Sequence, residues 1–346
     1  MFTIFIIFLI ALMVTATSIP WVRKLALHIG FVDAPASRKL HKDPIPMLGG
    51  VAIFAGAILA LILFTDEFPA SVAGVIFALS IMLLIGVIDD WRGVPAWVKM
   101  AGQFVGVAIL IFFGIHVQLP VPNAVNYAIT FLWVVGLSNA INFLDNMDGL
   151  SSGISAVACS FILLLGLQNG QFLVSALAAA TLGACLGFLR YNFKPATIFM
   201  GDAGSLFLGF VLALLGLQLR FPNNVSFVTW MIPVFILAVP IFDMTMVVTT
   251  RVLRGVSPNT PGKDHVSHRL VEFGYTQREA VLILYLLTGI TGMIALYLTQ
   301  ATIPEGYFLF GTAVFLGAVA IWQLEKTRKQ IQNQKQVQDK VNQGED

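Results

Sequence analysis

About eleven apolar runs follow one another along the chain, at or near the roughly 20 residues that a helix needs to cross a bilayer. They lie at roughly 2–22, 47–64, 68–88, 97–115, 124–141, 150–168, 171–189, 203–219, 227–248, 279–299 and 303–323. None alternates polar and apolar residues as a barrel strand does. The pattern predicts an all-α polytopic membrane protein, because a helix satisfies its own backbone in lipid. Composition excludes the soluble alternatives. Of 346 residues, 58% are hydrophobic and 11% charged, against about 25% charged in soluble domains. Such a chain cannot cover itself as a soluble enzyme, a disordered protein or a nucleic-acid-binding module. Cys159 and Cys185 lie inside apolar runs, so no disulfide framework is implied. Basic residues follow the first run rather than precede it, the wrong order for a signal peptide. The expected organisation is one integral-membrane domain, 1–323, and a polar tail, 324–346, with no assigned function.

Orientation follows from Lys and Arg, which concentrate on the cytoplasmic side. With the N-terminus outside and the C-terminus cytoplasmic, all but two of the 20 basic residues fall inside. The exceptions are Arg220, outside, and Lys99, at the inner edge of the fourth run. The opposite orientation reverses this asymmetry.

The polar residues near the membrane collect on the same inner side, in loops at about 23–46, 89–99, 139–150, 190–205 and 249–278. Most loop charges are simply solvated, and Asp148 or Asp202 could each start a helix as a cap. Asp89-Asp90 resists that reading. The pair ends an apolar helix, where the macrodipole disfavours anions, and adjacent carboxylates repel. A divalent cation or a cationic partner would repair the placement. Asn139, Asn142, Asp145 and Asp148 are spaced by three, one polar stripe if helical, and such a stripe at a membrane edge marks a cavity. Asp243 lies within the ninth run, with Arg251 as a candidate partner. Carboxylates, basic side chains and glycine-rich turns at helix starts suit Mg²⁺ and phosphate. His265 and His268 lack a third imidazole or a thiolate nearby, which argues against zinc.

These residues form a familiar series. The run Asn139-Ala-Ile-Asn-Phe-Leu-Asp145-Asn-Met-Asp148-Gly-Leu resembles the double-Asp motif of the polyprenyl-phosphate N-acetylhexosamine-1-phosphate transferases. Asp89-Asp90, Phe199-Met-Gly-Asp202-Ala-Gly-Ser and Ile45-Pro-Met-Leu-Gly-Gly50 resemble three further motifs, in order. Asp264-His265-Val-Ser-His268-Arg269-Leu is similar to the histidine loop of the WecA/TagO branch rather than that of the related MraY branch. Three positions depart from the family pattern: Asn146 where Gly is usual, Ser267 where His is common, and Arg92-Gly93 after the Asp pair.

The resemblance implies transfer of a sugar 1-phosphate, GlcNAc-1-phosphate by default, from a UDP-N-acetylhexosamine to polyprenyl phosphate. UMP would leave, and the reaction would start cell-wall or surface glycan synthesis. It places Asp89, Asp90, Asp145 and Asp148 in the catalytic and nucleotide-sugar centre. By the same resemblance Asp202 would be the metal ligand, alone or with Asp89 or Asp90, for Mg²⁺ or substituting Mn²⁺. Lys39 or Lys42, together with Lys99, would bind phosphate. Asn142 and Asn192 would flank the donor, Phe199 would lie against the uracil, and His265, His268 and Arg269 would contact the sugar or diphosphate. A bacterial inner membrane, a cytoplasm-facing site and homodimerisation complete the expectation. Two alternatives stand beside it. One is an MraY-like reaction on UDP-MurNAc-pentapeptide. The other is a secondary transporter, which would hold its acids near the midplane; here the acids of the motif loops lie at the inner face, and only Asp243 sits well within a run.

Overall fold

The computed structural model describes residues 1–33, 44–64, 70–257, 260 and 262–343, with side chains as far as Ile331. Lys39 and Lys42 lie outside the described residues. Among the described residues fourteen helices follow in order: α1 (Phe2–Ile29), α2 (Gly49–Leu63), α3 (Ala70–Arg92), α4 (Ala96–Phe112), α5 (Asn123–Leu144), α6 (Leu150–Gln168), α7 (Phe172–Asn192), α8 (Gly201–Gln218), α9 (Ser226–Thr229), α10 (Met231–Ile236), α11 (Ala238–Leu253), α12 (Val266–Glu272), α13 (Gln277–Leu298) and α14 (Ile303–Gln343). A two-residue ladder pairs β1 (Val32–Asp33) antiparallel with β2 (Ile45–Pro46).

Every apolar run in the sequence becomes helix. Among the described residues, eight helices are long and apolar enough to cross a membrane. The ninth run breaks: Ser226–Ile236 and Ala238–Leu253 meet at 75°, and count as one further span if taken together. α2 and α4 are apolar but shorter, at 15 and 17 residues. A break at Leu237 is tolerable at membrane depth because neighbouring helices shield the freed backbone; Leu237 is fully buried.

α8 is the axis of the bundle. Its apolar window is 83% buried, as expected for a helix that is hydrophobic all round. α2, α3 and α5 pack on it, and α6 and α7 touch it. In lipid no hydrophobic force draws helices together, so close backbone approach matters more. Gly183 and Gly187 provide it between α7 and α1: a methyl at Gly187 would lie 2.6 Å from the Leu12 carbonyl oxygen. At the opposite extreme, the spanning window of α14 is 0% buried.

This arrangement positions one face. α1, α3, α5, α7 and α11 all end there, and α2, α4, α6, α8 and α13 begin there. Backbone bonds tie their ends together. Gly49 and Gly50 donate to the carbonyls of Phe199 and Met200, both at 2.9 Å, and Phe199 donates to Pro46 at 2.8 Å. A methyl at Gly50 would overlap the Gly204 backbone. The Pro44–Gly50 turn and the start of α8, two motifs far apart in sequence, are therefore one structure.

Candidate active site

The site grows from the first turn of α8, whose backbone N–H groups have no partner within the helix. Asp90, in the last turn of α3, supplies one. Its carboxylate accepts from the N–H groups of Asp202 at 2.8 Å and Ala203 at 3.1 Å. The macrodipoles explain the placement: an anion disfavoured at the end of α3 is favoured at the start of α8. Asp90, expected in the catalytic centre, is thus a cap for the helix that carries Asp202. Asp89 turns the other way. It accepts from Val94 N–H at 2.7 Å and from Lys99 Nζ at 2.7 Å. The same ammonium reaches Asp202 at 2.8 Å. Lys99 is the cationic partner that the Asp pair requires, and it bridges two of the sequence motifs.

α5 delivers the next groups. Asn142 Nδ2 donates to Asp202 Oδ1 at 2.9 Å and to Ser205 Oγ at 2.8 Å. One turn deeper, Asn139 Nδ2 donates to Gln103 Oε1 at 2.8 Å, and Gln103 is fully buried. This amide pair locks α5 against α4 and so fixes Lys99 relative to Asn142. The expected polar stripe ends there, because α5 ends at Leu144 and Asp145 is its C-cap. Asp145 and Asp148 lie on the following turn, not on a helix face. Asp148 accepts from Ala196 N–H at 3.1 Å. Asn192 holds the same turn from α7: it accepts from Gly149 N–H at 2.9 Å and donates to the Ile198 carbonyl at 2.9 Å. The Tyr285 hydroxyl donates to the Gly149 carbonyl. Burial, and then the charges of Asp202, Asp90 and Asp148, hold the Asp145 carboxyl well above the usual carboxylate range.

The fifth motif, 264–270, runs into α12. Asp243, 1% exposed, pairs with His265 Nδ1 at 2.7 Å and accepts from Val266 N–H at 2.7 Å. The sequence suggested Arg251 for Asp243; Arg251 instead pairs with Asp264 at 3.0 Å. His265 is therefore held as a support, its ring edge-on to Phe143 and to His268. Burial, then the electrostatic influence of the neighbouring His265 and Lys263, pushes His268 down to about 4. Ser267 Oγ donates to Asn146 Oδ1 at 2.6 Å, so two of the three departures from the family pattern touch each other. Arg269 faces away from the cleft. It is fully buried, with Nε on the Asp264 carbonyl at 3.0 Å and Nη2 on Glu325 at 2.9 Å.

Between these elements lies a cleft of about 640 Å³. Asn142, Asp145, Asp148, Asn192, Phe199, Asp202 and His268 all line it. Asp89 and Lys99 stand at its edge through Asp202. Asp33, Asn146, Lys194, Lys263 and Gln277 line it as well, without a role assigned from sequence. The size suits a drug-sized or nucleotide-sized ligand, about 300–1,000 Å³. Among the described residues no three His, Cys, Asp or Glu side chains converge into a metal cage. The carboxylates of Asp145, Asp148 and Asp202 that line the cleft are hard oxygen donors of the kind Mg²⁺ takes, one or two at a time with waters and substrate phosphates.

Comparison with known proteins decides the family. Residues 72–220 match the glycosyl transferase family 4 model. The chain is 36% identical over 334 residues to a Bacillus subtilis protein named "Probable undecaprenyl-phosphate N-acetylglucosaminyl 1-phosphate transferase", covering 92% of each. The chain belongs to this family. The decaprenyl-phosphate N-acetylglucosaminephosphotransferase of Mycolicibacterium smegmatis is 31% identical, over 82% of this chain and 79% of its own length. The undecaprenyl-phosphate alpha-N-acetylglucosaminyl 1-phosphate transferase of Escherichia coli K12 is 26% identical, over 89% of each chain. Family membership agrees with the order of the five motifs, and the fold gathers the described parts of all five at one cleft.

Proposed function

We propose that the chain transfers N-acetylglucosamine 1-phosphate from UDP-GlcNAc to polyprenyl phosphate, releasing UMP. Support comes first from the family and its relatives' names. The observation that carries it in this chain is the cleft itself, where carboxylate, lysine and helix-start chemistry from separate loops meets at the end of a membrane bundle. A soluble donor enters from the aqueous side, while a lipid chain lies between helices with its phosphate at the same level.

The orientation belongs to the same proposal. Counting α2, α4 and the broken α9–α11 as crossings gives eleven, with the N-terminus outside and the cleft in the cytoplasm of a bacterial inner membrane. The alternation of helix ends and starts at the cleft supports that count, and so does the positive-inside balance.

Phosphoryl transfer needs positioning and charge neutralisation more than covalent work. A phosphomonoester has its second pKa near 6, so the lipid phosphate is largely dianionic at neutral pH and already nucleophilic. We therefore assign no general base. Lys99, held between Asp89 and Asp202, faces developing phosphate charge. Asp202, with Asp145 or Asp148, would hold Mg²⁺ or a substituting Mn²⁺, which when bound would supply neutralisation of phosphate charge. Asn142 fixes the Asp202 carboxylate. Phe199 offers a ring to the uracil, and His268, neutral above about pH 5 by its lowered pKa, offers a hydrogen bond to the sugar or diphosphate. The test is UMP release by purified protein with polyprenyl phosphate, UDP-GlcNAc and Mg²⁺. Release that requires all three, and is lost in Asp202→Asn, supports the reading. Solute uptake without UMP would overturn it.

A further inference from the structure

The tail beyond the last apolar run received no function from the sequence, yet its first two turns are tied to the cleft. α14 is otherwise loosely held, since its spanning window has no buried residue. At its inner end Glu325 accepts from Arg269 Nη2 at 2.9 Å, and the Arg269 side chain is 0% exposed. Three residues on, Arg328 Nη1 lies 2.7 Å from Asp264 Oδ1. Asp264 also pairs with Arg251 at 3.0 Å and Arg254 at 3.2 Å, both from the end of α11. Surface ion pairs contribute little, but the Arg269–Glu325 and Arg328–Asp264 pairs are largely buried, and a buried guanidinium without its counter-charge is strongly unfavourable. The segment they grip is the one that presents Lys263 and His268 to the cleft.

We propose that Glu325 and Arg328 are positioning residues for the donor pocket: α14 clasps the 262–269 segment from outside and sets where Lys263 and His268 stand. α11 grips the same segment from the other side through Asp243 and Arg251, so the wall of the cleft is held at both ends. The proposal rests on reading the cleft as the donor site. It gives the last helix a catalytic purpose that its lipid-facing apolar half does not serve.

The test uses Glu325→Gln, Arg328→Gln and Arg328→Lys in the full chain. The two Gln variants should raise the KM for UDP-GlcNAc about five- to twentyfold while kcat and the KM for polyprenyl phosphate change less than about threefold, the pattern of lost donor positioning. Arg328→Lys keeps the charge on Asp264 and should restore most of the donor KM. A chain ending at Ile331 should behave as the full chain, and one ending at Leu324 as the Gln variants. Amide hydrogen exchange reads the clasp without turnover: in the Gln variants residues 264–273 should exchange faster, and the turn at 145–149 should not. Unchanged exchange there, or an unchanged donor KM in a sample whose wild type turns over, overturns the clasp. A wild type that releases no UMP overturns the function instead, and the exchange data still decide the clasp.

Discussion

Replacing Lys99 with Met keeps the length of the side chain and removes its charge. In the folded protein Lys99 Nζ lies 2.7 Å from Asp89 Oδ2 and 2.8 Å from Asp202 Oδ2, so those two oxygens are no farther apart than about 5.5 Å. The three side chains are 23%, 12% and 27% exposed, which places them in the regime of an effective dielectric of about 20. At that distance and dielectric two unit charges repel by about 3 kcal/mol. The substitution therefore leaves Asp202 facing an uncompensated neighbour at the point where the donor's diphosphate adds more negative charge. If the whole repulsion is felt in the transition state, kcat/KM falls about 100-fold. Lys99→Arg retains the charge but not the compact ammonium, and should lose less. The assay is initial-rate UMP release over a UDP-GlcNAc series, beside thermal unfolding in detergent to show a folded sample. Lys99→Met within threefold of wild type would refute the reasoning, because the bridge would then neutralise nothing that the reaction needs.

Other consequences follow from the same geometry. The Ser267–Asn146 hydrogen bond should couple the two walls of the cleft: Ser267→Ala and Asn146→Ala should be non-additive by about 1 kcal/mol in donor affinity, whereas strict additivity would separate them. His268 binds fewer protons folded than unfolded between about 4 and its ordinary 6.5, so its contribution to stability rises with pH through that window. The thermal midpoint should climb between pH 4.5 and 7 more steeply in wild type than in His268→Gln; parallel slopes would contradict it. Gly50→Ala forces a methyl into the Gly204 backbone and should cost about 1–3 kcal/mol as overpacking, seen as a lower unfolding temperature, while wild-type stability would show that α2 can move away.

The bilayer made most of the fold legible. A spanning segment must be long, apolar and helical, so all of the runs read from sequence became helices. The break in the ninth did not announce itself, because 227–248 is apolar on both sides of Leu237 and the bend depends on what packs around that residue. Pro233 and Pro240 were its only local signal. The site was half legible. Residue types and their order pointed to the five loops, but local sequence could not say which partner each side chain would find. Asp89-Asp90 read as one unit, and the fold splits it: Asp89 goes to Lys99, Asp90 to the start of α8. Asp243 took a histidine 22 residues away rather than the arginine one helix face along. Arg269 looked like a phosphate ligand and is instead buried against Glu325, from a helix whose apolar half carries no hint of the cleft.

The central claim is that a sugar phosphate moves, not a sugar alone and not a solute. It is tested most directly with UDP-GlcNAc labelled at the sugar-side phosphorus, purified protein, Mg²⁺ and polyprenyl phosphate. The account requires the label in the lipid product together with the sugar, and unlabelled UMP in solution. Label left in a released nucleotide diphosphate, or a labelled donor left intact by a folded sample in the presence of lipid and metal, would contradict it.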